Sequence, residues 1–399
     1  MSVSRVGVLG AGTMGRGIAQ LAALGGYETV LYDVAPELAE GGAEALRGAL
    51  DKGAERGRWS VDDARAAAAR VETTAELAGL ASCGLIVEAA PEKLELKREI
   101  FAALAAAVGP EPVFASNTSS LRVTAIAEGV PHPERVVGMH FFNPPALMKL
   151  VEVVAAERSS DTALATATEV AEQMGRTPIR AEDSPGFVAN RLARPFSLES
   201  LRMLGEGVAD ATTIDRVVRL GGGFRMGPFE LLDLIGLDVN LEIARSFFAQ
   251  GGEPERWRPS PIQEELVAAG RFGRKSGHGY YEYGEGHARE ADPALDIAAP
   301  TLDPELLAAV DPAAEEILTR LFAQIANEAA FAREEEIASG EDMETAMRLG
   351  FNWPLGPLAI GELLGPARAV ETLDRLRAER GEAYAAAPRL RAEAGGAAA

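Results

Sequence analysis

The chain has 399 residues, of which 47% are apolar and 25% charged, which suits two or three folded domains and excludes a disordered chain. The 60 Asp plus Glu against 39 Lys plus Arg give a net charge of −21, the wrong sign for a nucleic acid or an anionic membrane held by bulk electrostatics, so an anionic ligand needs a local cationic or NH-rich pocket. A single cysteine, Cys83, excludes an internal disulfide and a cysteine-based zinc cluster, and no uncharged apolar run approaches the ~18 residues of a membrane span; a cytoplasmic protein is expected.

Arg5 to Leu9 reads as the first strand, and Gly10-Ala11-Gly12-Thr13-Met14-Gly15 follows it as G-x-G-x-x-G opening a helix. Gly10 suits the tight turn, Gly12 a close approach of the backbone to a pyrophosphate, and Gly15 close packing of helix on strand. The free NH groups of the helix start, at Thr13 and Met14, then face phosphate. Thr29 to Tyr32 is the second strand, ending at Asp33. A carboxylate there accepts from the adenosine ribose hydroxyls and repels a 2′-phosphate, which selects NAD over NADP. The competing role for Asp33 is a helix N-cap before Pro36.

Pro36 to Gly57 has helical spacing, then Leu85 to Glu88 is strand-like, and a charged helix start, Glu92-Lys93-Leu94-Glu95-Leu96-Lys97, leads into the helix Leu94 to Val108. Lys97 is placed to meet a cofactor and Glu92 to orient it, or both lie on a solvated helix face. Val113 to Ser116 is the next strand, followed by the polar cluster Ser116-Asn117-Thr118-Ser119-Ser120, either a ligand-facing edge or a helix N-cap. Val136 to His140 and Lys149 to Val154 flank the turn Phe141-Phe142-Asn143-Pro144-Pro145. A hairpin-like return there brings Glu152 beside His140, giving a base oriented by a carboxylate; taken alone, a strand-end histidine also suits a structural role. The four histidines, His132, His140, His278 and His287, are too scattered for a metal site, and none is expected. This part is α/β and doubly wound.

After Asp183-Ser184-Pro185-Gly186 strand-like alternation gives way to helical periodicity, and Asn190 opens this second, all-helical region. Gly273 to Tyr281 ends it, and a Pro-, Asp- and Gly-containing stretch to about Pro312 reads as a linker. The remainder repeats the helical region at a constant offset of 129: Arg191-Leu192 recurs as Arg320-Leu321, Arg219-Leu220-Gly221 as Arg348-Leu349-Gly350, Gly227-Pro228 as Gly356-Pro357 and Leu234 as Leu363. Thr319 replaces Asn190, so chemistry at Asn190 is absent from the second copy.

Gly10 to Gly15, Ala115 to Leu121, Gly138-Met139-His140-Phe141-Phe142-Asn143-Pro144, Lys149 to Val153, Asp183 to Phe187 with Asn190-Arg191, and Met226-Gly227-Pro228-Phe229-Glu230-Leu231-Leu232-Asp233 together resemble the (S)-3-hydroxyacyl-CoA dehydrogenases. The resemblance spans roughly residues 3 to 283 and continues in the repeat to about Arg391, where Phe351 to Ala359 is similar to the duplicated-domain members acting on 3-hydroxybutyryl-CoA or 3-hydroxyadipyl-CoA. It implies a Rossmann-type NAD-binding domain (1–183), a helical substrate or dimerisation domain (184–292) and a second, degenerate helical copy (312–399). It also implies oxidation of an acyl-CoA thioester at its 3-hydroxyl, with His140 as base, Glu152 as its carboxylate partner, and Ser119 and Asn190 bonding the substrate or the histidine. Asp33 then holds the adenosine ribose, Glu92 and Lys97 contact NAD, and Gly10, Gly12, Thr13, Met14, Gly15, Asn117 and Asn143 complete the cofactor set. The implied assembly is a homodimer, or a monomer whose two helical copies form a pseudo-dimer in cis.

One departure stands out. Where the family carries a lysine-rich helix that helps hold the CoA phosphates, this chain has Glu37, Glu40 and Glu44, with Arg47, Lys52, Arg56 and Arg58 only later. Three other functions compete with this one. A β-hydroxyacid dehydrogenase would need a helical-domain lysine, and none occurs between Lys149 and Lys275. A gulonate-type dehydrogenase on a free hydroxy acid is disfavoured by the Phe141 to Pro144 loop, and a non-catalytic NAD-binding protein by the intact His140, Glu152, Ser119 and Asn190.

Overall fold

The computed structural model describes residues 3–284, 292 and 297–396, so His287 lies outside the described residues. The chain divides into two compact units, Met1–Phe187 and Val188–Ala399. The first is built on one eight-stranded sheet of β1 (Arg5–Leu9), β2 (Glu28–Tyr32), β3 (Val71–Thr74), β4 (Leu85–Glu88), β5 (Val113–Ser116), β6 (Val136–Phe141), β7 (Leu150–Ala155) and β8 (Thr177–Glu182), in the order β3-β2-β1-β4-β5-β6-β7-β8. Pairing is parallel from β3 across to β6. β7 alone runs antiparallel to β6, and β8 follows β7 in parallel.

The helices of this unit are α1 (Thr13–Leu24), α2 (Pro36–Glu55), α3 (Val61–Ala69), α4 (Leu94–Val108), α5 (Val123–Ala127) and α6 (Asp161–Gln173). Alternation along each strand sends successive side chains to opposite faces. Val6, Val8, Val113 and Ala115 join an apolar layer with Ile18 of α1, Leu46 of α2, Ala64 of α3 and Leu164 of α6. Phe114, between Val113 and Ala115, meets Phe101 of α4 edge-on at 5.9 Å instead. Cys83 is buried in this unit, and burial pushes its thiol up to about 11.

The expected strands fall on β1, β2, β4, β5, β6 and β7 with shifts of one residue at most. β3 and β8 were not among them. Both are edge strands, and their polar alternation, with Pro178 in β8, is what an edge tolerates and a buried parallel strand does not.

The second unit holds α7 (Ala189–Leu192), α8 (Arg194–Gly205), α9 (Ala211–Leu220), α10 (Pro228–Ile235), α11 (Leu237–Gln250), α12 (Pro261–Ala268), α13 (Pro304–Val310), α14 (Ala314–Glu334), α15 (Gly340–Gly350), α16 (Pro357–Leu364), α17 (Pro366–Arg380) and α18 (Pro388–Gly396). At the 129-residue offset α10 coincides with α16 from end to end. The N-caps follow the same register: Asp210 accepts from the Thr213 amide and Ser339 from the Asp342 amide. So do the side chains that seat α10 and α16, since Asp215 accepts from the amides of Phe229 and Glu230, and Glu344 from those of Leu358 and Ala359. Asp233 in turn holds the glycine-rich segment, accepting from the Tyr280 and Tyr281 amides and the Tyr283 hydroxyl. Part of the stretch expected as linker is α13, capped by Asp303, whose carboxylate accepts from the Glu305 and Leu306 amides. Asp-Pro at that point starts a helix, and Leu307 and Val310 bury its inner face.

The two copies are joined by an exchange of buried charges. Arg191 donates to Glu328 at 2.8 Å and bidentately to Glu335, while its equivalent Arg320 donates to Glu199 at 2.8 Å and to Glu206, the equivalents of those two carboxylates. Phe224 and Trp353, also equivalent, meet edge-on with centroids 5.4 Å apart. Residue i of one copy therefore meets residue j of the other and the reverse holds, the relation of an isologous two-fold interface inside one chain. Burial alone would lower Arg320, but Glu199 and Glu206 reverse that and hold it above its usual value. Arg320→Met leaves the fully buried Glu199 with only Arg202 at 3.3 Å and the Tyr384 hydroxyl, and is expected to cost ~3–5 kcal/mol. The Arg320→Met, Glu199→Leu double variant recovers most of it. Urea unfolding followed by the fluorescence of Trp257 and Trp353 checks both, and a single variant within 1 kcal/mol of wild type, on the scale of that ~3–5 kcal/mol, would contradict the exchange as a structural requirement.

Candidate active site

The carboxyl ends of β1, β2, β4, β5 and β6 share one edge of the sheet, and the strand order reverses at β1, which has β2 on one side and β4 on the other. A crevice at such a point is where open α/β sheets bind ligands. A cavity of about 760 Å³ lies here, with Gly10, Gly12, Thr13 and Met14 after β1, Asp33 after β2, and Ala89 to Pro91 after β4 on its walls. Gly10 has φ +103°, and a Cβ on Gly15 would stand 1.7 Å from the Gly10 carbonyl oxygen, so both glycines are obligatory. Around Gly12 the space is open and α1 starts without a side-chain cap, leaving its first amides to a ligand. These residues fit a dinucleotide.

Asp33 is not the cap of α2, a position taken by Ala35. Its carboxylate accepts from the Ala11 amide at 2.8 Å and the Val34 amide at 2.7 Å, tying the glycine loop to the end of β2. The far wall of the cavity is apolar and includes Leu96, Ile100 and Ala103 of α4. Their i, i+4, i+7 spacing marks one helical face, the signal by which the cavity wall can be found within a stretch read only as helical.

Glu92 and Lys97 are not a solvated helix start. Lys97 is buried, its ammonium bonded to Glu88 at 2.7 Å and to the Ala90 carbonyl, with Glu92 at 3.4 Å. Glu88 also accepts from the Ser116 hydroxyl at 2.7 Å, which links the ends of β4 and β5. Glu92 accepts from the Thr118 hydroxyl, from the amides of Ser119 and Ser120 and from the Ser120 hydroxyl. Burial alone would raise the Glu92 carboxyl, but Lys97 and these donors outweigh it and hold it below the usual range. The Ser116 to Ser120 cluster is thus folded around Glu92 rather than capping a helix; α5 is capped by Asp183, which accepts from the Val123 and Thr124 amides. Two carboxylates, Glu88 at the end of β4 and Glu92 in the following turn, converge on the Lys97 ammonium.

On the neighbouring strand His140 pairs directly with Glu152 in the antiparallel β6–β7 register. Its Nδ1 lies 2.6 Å from Glu152 Oε2, with Glu152 fully buried and His140 nearly so. A carboxylate only accepts, so Nδ1 carries the proton and Nε2 is the ring nitrogen able to take one up. The Phe142 and Phe187 rings stand 4.5 and 5.8 Å from the imidazole. Asn117 Oδ1 accepts from the Phe141 amide at 2.9 Å, fixing the end of β6 against the Ser116 to Ser120 turn. Asn143 is exposed in the following turn, and Asn190 is half-buried on α7 in the second unit. Among the described residues no group of His, Cys, Asp and Glu could hold a metal ion.

The chain matches two family models, the NAD-binding domain of 3-hydroxyacyl-CoA dehydrogenase over residues 5–184 and its C-terminal domain over residues 186–283 and again 317–395. It is 35% identical to the 3-hydroxyadipyl-CoA dehydrogenase of Escherichia coli K12, with 96% of this chain and 95% of that protein covered. A probable 3-hydroxybutyryl-CoA dehydrogenase of Deinococcus radiodurans is 41% identical over its full length, which corresponds to 70% of this chain. The crystal structure of an E. coli 3-hydroxybutyryl-CoA dehydrogenase superposes with a TM-score of 0.88 at 34% identity, covering 99% of this chain and 98% of that one. Matched along both units at these identities, the chain belongs to the 3-hydroxyacyl-CoA dehydrogenase family and is an NAD-dependent oxidoreductase acting on 3-hydroxyacyl-CoA.

Proposed function

We propose that His140 is the general base of the oxidation. The observation that carries this is the buried 2.6 Å bond from its Nδ1 to Glu152, which leaves Nε2 to take the proton from the substrate 3-hydroxyl and to return it in the reverse direction. NAD, when bound, accepts the hydride from C3. Glu152 orients the ring and supports the imidazolium, while the Phe142 and Phe187 rings limit water around it. Ser119 and Asn190 bond the substrate. Asn117 and the Glu92 network act through position, holding the end of β6 and the Ser119 turn in place. Gly10, Gly12 and the Thr13 and Met14 amides hold the cofactor phosphates, Gly15 seats α1 on its strand, and Asp33 holds the adenosine ribose. Asn143 completes the nicotinamide side.

Glu37, Glu40 and Glu44 are exposed on the start of α2, and Arg47, Lys52, Arg56 and Arg58 are exposed beyond them. We infer that the CoA phosphates turn toward those later cations, the sign of charge at the helix start being repulsive. The reciprocal Arg191 and Arg320 pairs support a pseudo-dimer formed in cis by the two helical copies. A cytoplasmic location fits the single, buried cysteine.

Three measurements test these roles. His140→Ala is expected to lower kcat for acetoacetyl-CoA reduction by about two orders of magnitude or more, with NADH affinity little changed, and Glu152→Gln by less; a near wild-type kcat in His140→Ala would sink the assignment. Asp33→Ala is expected to raise KM for NADH roughly 10- to 100-fold and to raise the NADPH-to-NADH ratio of kcat/KM, since a charged hydrogen bond and a repulsion are removed together. Equal use of NADH and NADPH by the unmodified protein counts against Asp33. Removing residues from about 300 onward uncovers the face of α8 and strips Glu199 of Arg320, so the shortened chain is expected to aggregate or self-associate in sedimentation. A monomeric, equally heat-stable and fully active product contradicts the pseudo-dimer.

A further inference from the structure

Arg194, at the start of α8, is the one buried arginine of the second unit that has no carboxylate among the described residues. Arg191 and Arg320 are each held by two glutamates, whereas the Nε and Nη1 of Arg194 are buried without a hydrogen-bond partner. Its guanidinium lies over the Phe247 ring at 5.3 Å, a contact that leaves both of those nitrogens unpaired. Burial alone acts on its pKa and brings it down to about 10, so the group is charged at neutral pH. Folding around such a cation is costly, and an anion that binds only the folded chain offsets that cost.

The fold leaves room for one beside it. A cavity of about 30 Å³ is lined by Arg194 and Asn240 of the first helical copy and by Phe351 and Trp353 of the second, with Leu231 also on its wall. That is roughly the room of one or two waters, enough for a single-atom anion and too little for a phosphate ester. Asn240 Oδ1 accepts from Gln263 Nε2 at 3.1 Å, which leaves Nδ2 as the donor of that buried amide. Guanidinium and amide donors within an otherwise apolar wall suit a monovalent, weakly hydrated ion. Fluoride and sulfate hold their water more strongly and are costlier to bury.

The second copy serves as an internal comparison. At the 129-residue offset the pairing residues persist, as Arg320, Glu328 and Glu335 for Arg191, Glu199 and Glu206. The two donors of the cavity do not: Arg194 and Asn240 correspond to Ala323 and Ala369. They are lost together, as the two halves of one site would be. The guanidinium of Arg194 therefore answers to something other than the charge exchange that joins the copies.

We propose that Arg194 and Asn240 bind a chloride ion where the two helical copies meet. All the residues that line the site lie in the second unit. The ion takes charge-assisted hydrogen bonds from the guanidinium and a further one from the Asn240 amide, and the Leu231, Phe351 and Trp353 side chains shield it from water. Because donors and wall come from different copies, the bound ion ties one copy to the other and makes the stability of the unit depend on chloride.

The test is the melting temperature of the full chain as fluoride is replaced by chloride at constant ionic strength. Above the dissociation constant, each tenfold rise in chloride is expected to raise the wild-type midpoint by about 3–6 °C. Arg194→Met removes the uncompensated charge, so in fluoride it is expected to melt no lower than the wild type, and chloride is expected to leave its midpoint unchanged. Asn240→Ala keeps the cation and is expected to shift the chloride dependence to higher concentration. Bromide, a heavy-atom quencher of indole, locates the ion: wild-type emission is expected to contain a saturable bromide-quenched component, from Trp353, that chloride displaces and that Arg194→Met lacks. Four results overturn the site: a wild type indifferent to chloride, a chloride dependence shared equally by Arg194→Met, one that begins only at molar salt, or bromide quenching that chloride does not displace. Should Arg194→Met fail to fold, an Asn240→Ala titration that coincides with the wild type overturns it as well.

Discussion

The reversal of chain direction between Phe141 and Leu150 is the constraint on which the reactive end of this protein depends. Strands from β3 to β6 run parallel, and in such a sheet the residues beside a strand end arrive through separate crossovers. By turning β7 back along β6, the chain sets His140 and Glu152 directly opposite each other on one face, where side chains of an antiparallel pair meet. A slip of one residue would send Glu152 to the other face and leave a buried carboxylate without a partner, so the register and the charge pair fix each other. The pairing partner of the base is therefore a property of strand registration, insulated from movement of the loops around it.

The same sheet edge explains what a reader of the sequence sees and what remains hidden. Gly10, Gly12 and Gly15 are legible because only glycine meets their geometry, and Asp33 because of where its strand stops. His140 and Glu152 are legible because two β-rich runs with a short turn between them can only return. Lys97 is not. On the sequence it opens an ordinary charged helix, and only the convergence of Glu88 from one strand, Glu92 from the next turn and Ser116 from another strand makes it the buried centre of a network. Strands β3 and β8 escape for a related reason, since their polar residues suit edges and resemble loops. Asp303-Pro304 was hidden in a stretch whose composition reads as linker, although that dipeptide begins α13.

Arg194 illustrates the deepest blind spot. An arginine near a helix start has the appearance of a solvated side chain, and nothing local distinguishes it from Arg191 three residues earlier. The distinction appears only when the partners are counted: one has two carboxylates and the other has none. The duplication then supplies an internal comparison, since what both copies keep serves either the helices of each copy, as Asp215 and Glu344 do, or the interface between them, as Arg191 and Arg320 do. What one copy has dropped belongs to something else. The helical half thus carries its own record of which polar groups hold the fold and which were free to change.

The lone cysteine has a practical bearing. Cys83 is packed inside the sheet unit with its thiol pushed up to about 11, so the thiolate that alkylating and oxidising reagents require is nearly absent near neutral pH. The folded protein is in effect thiol-silent. A cysteine placed by mutation on any exposed helix would be the one position a maleimide dye could mark. Distances within either unit, or changes in them as cofactor and thioester enter, could thus be read by fluorescence without first stripping the chain of native thiols.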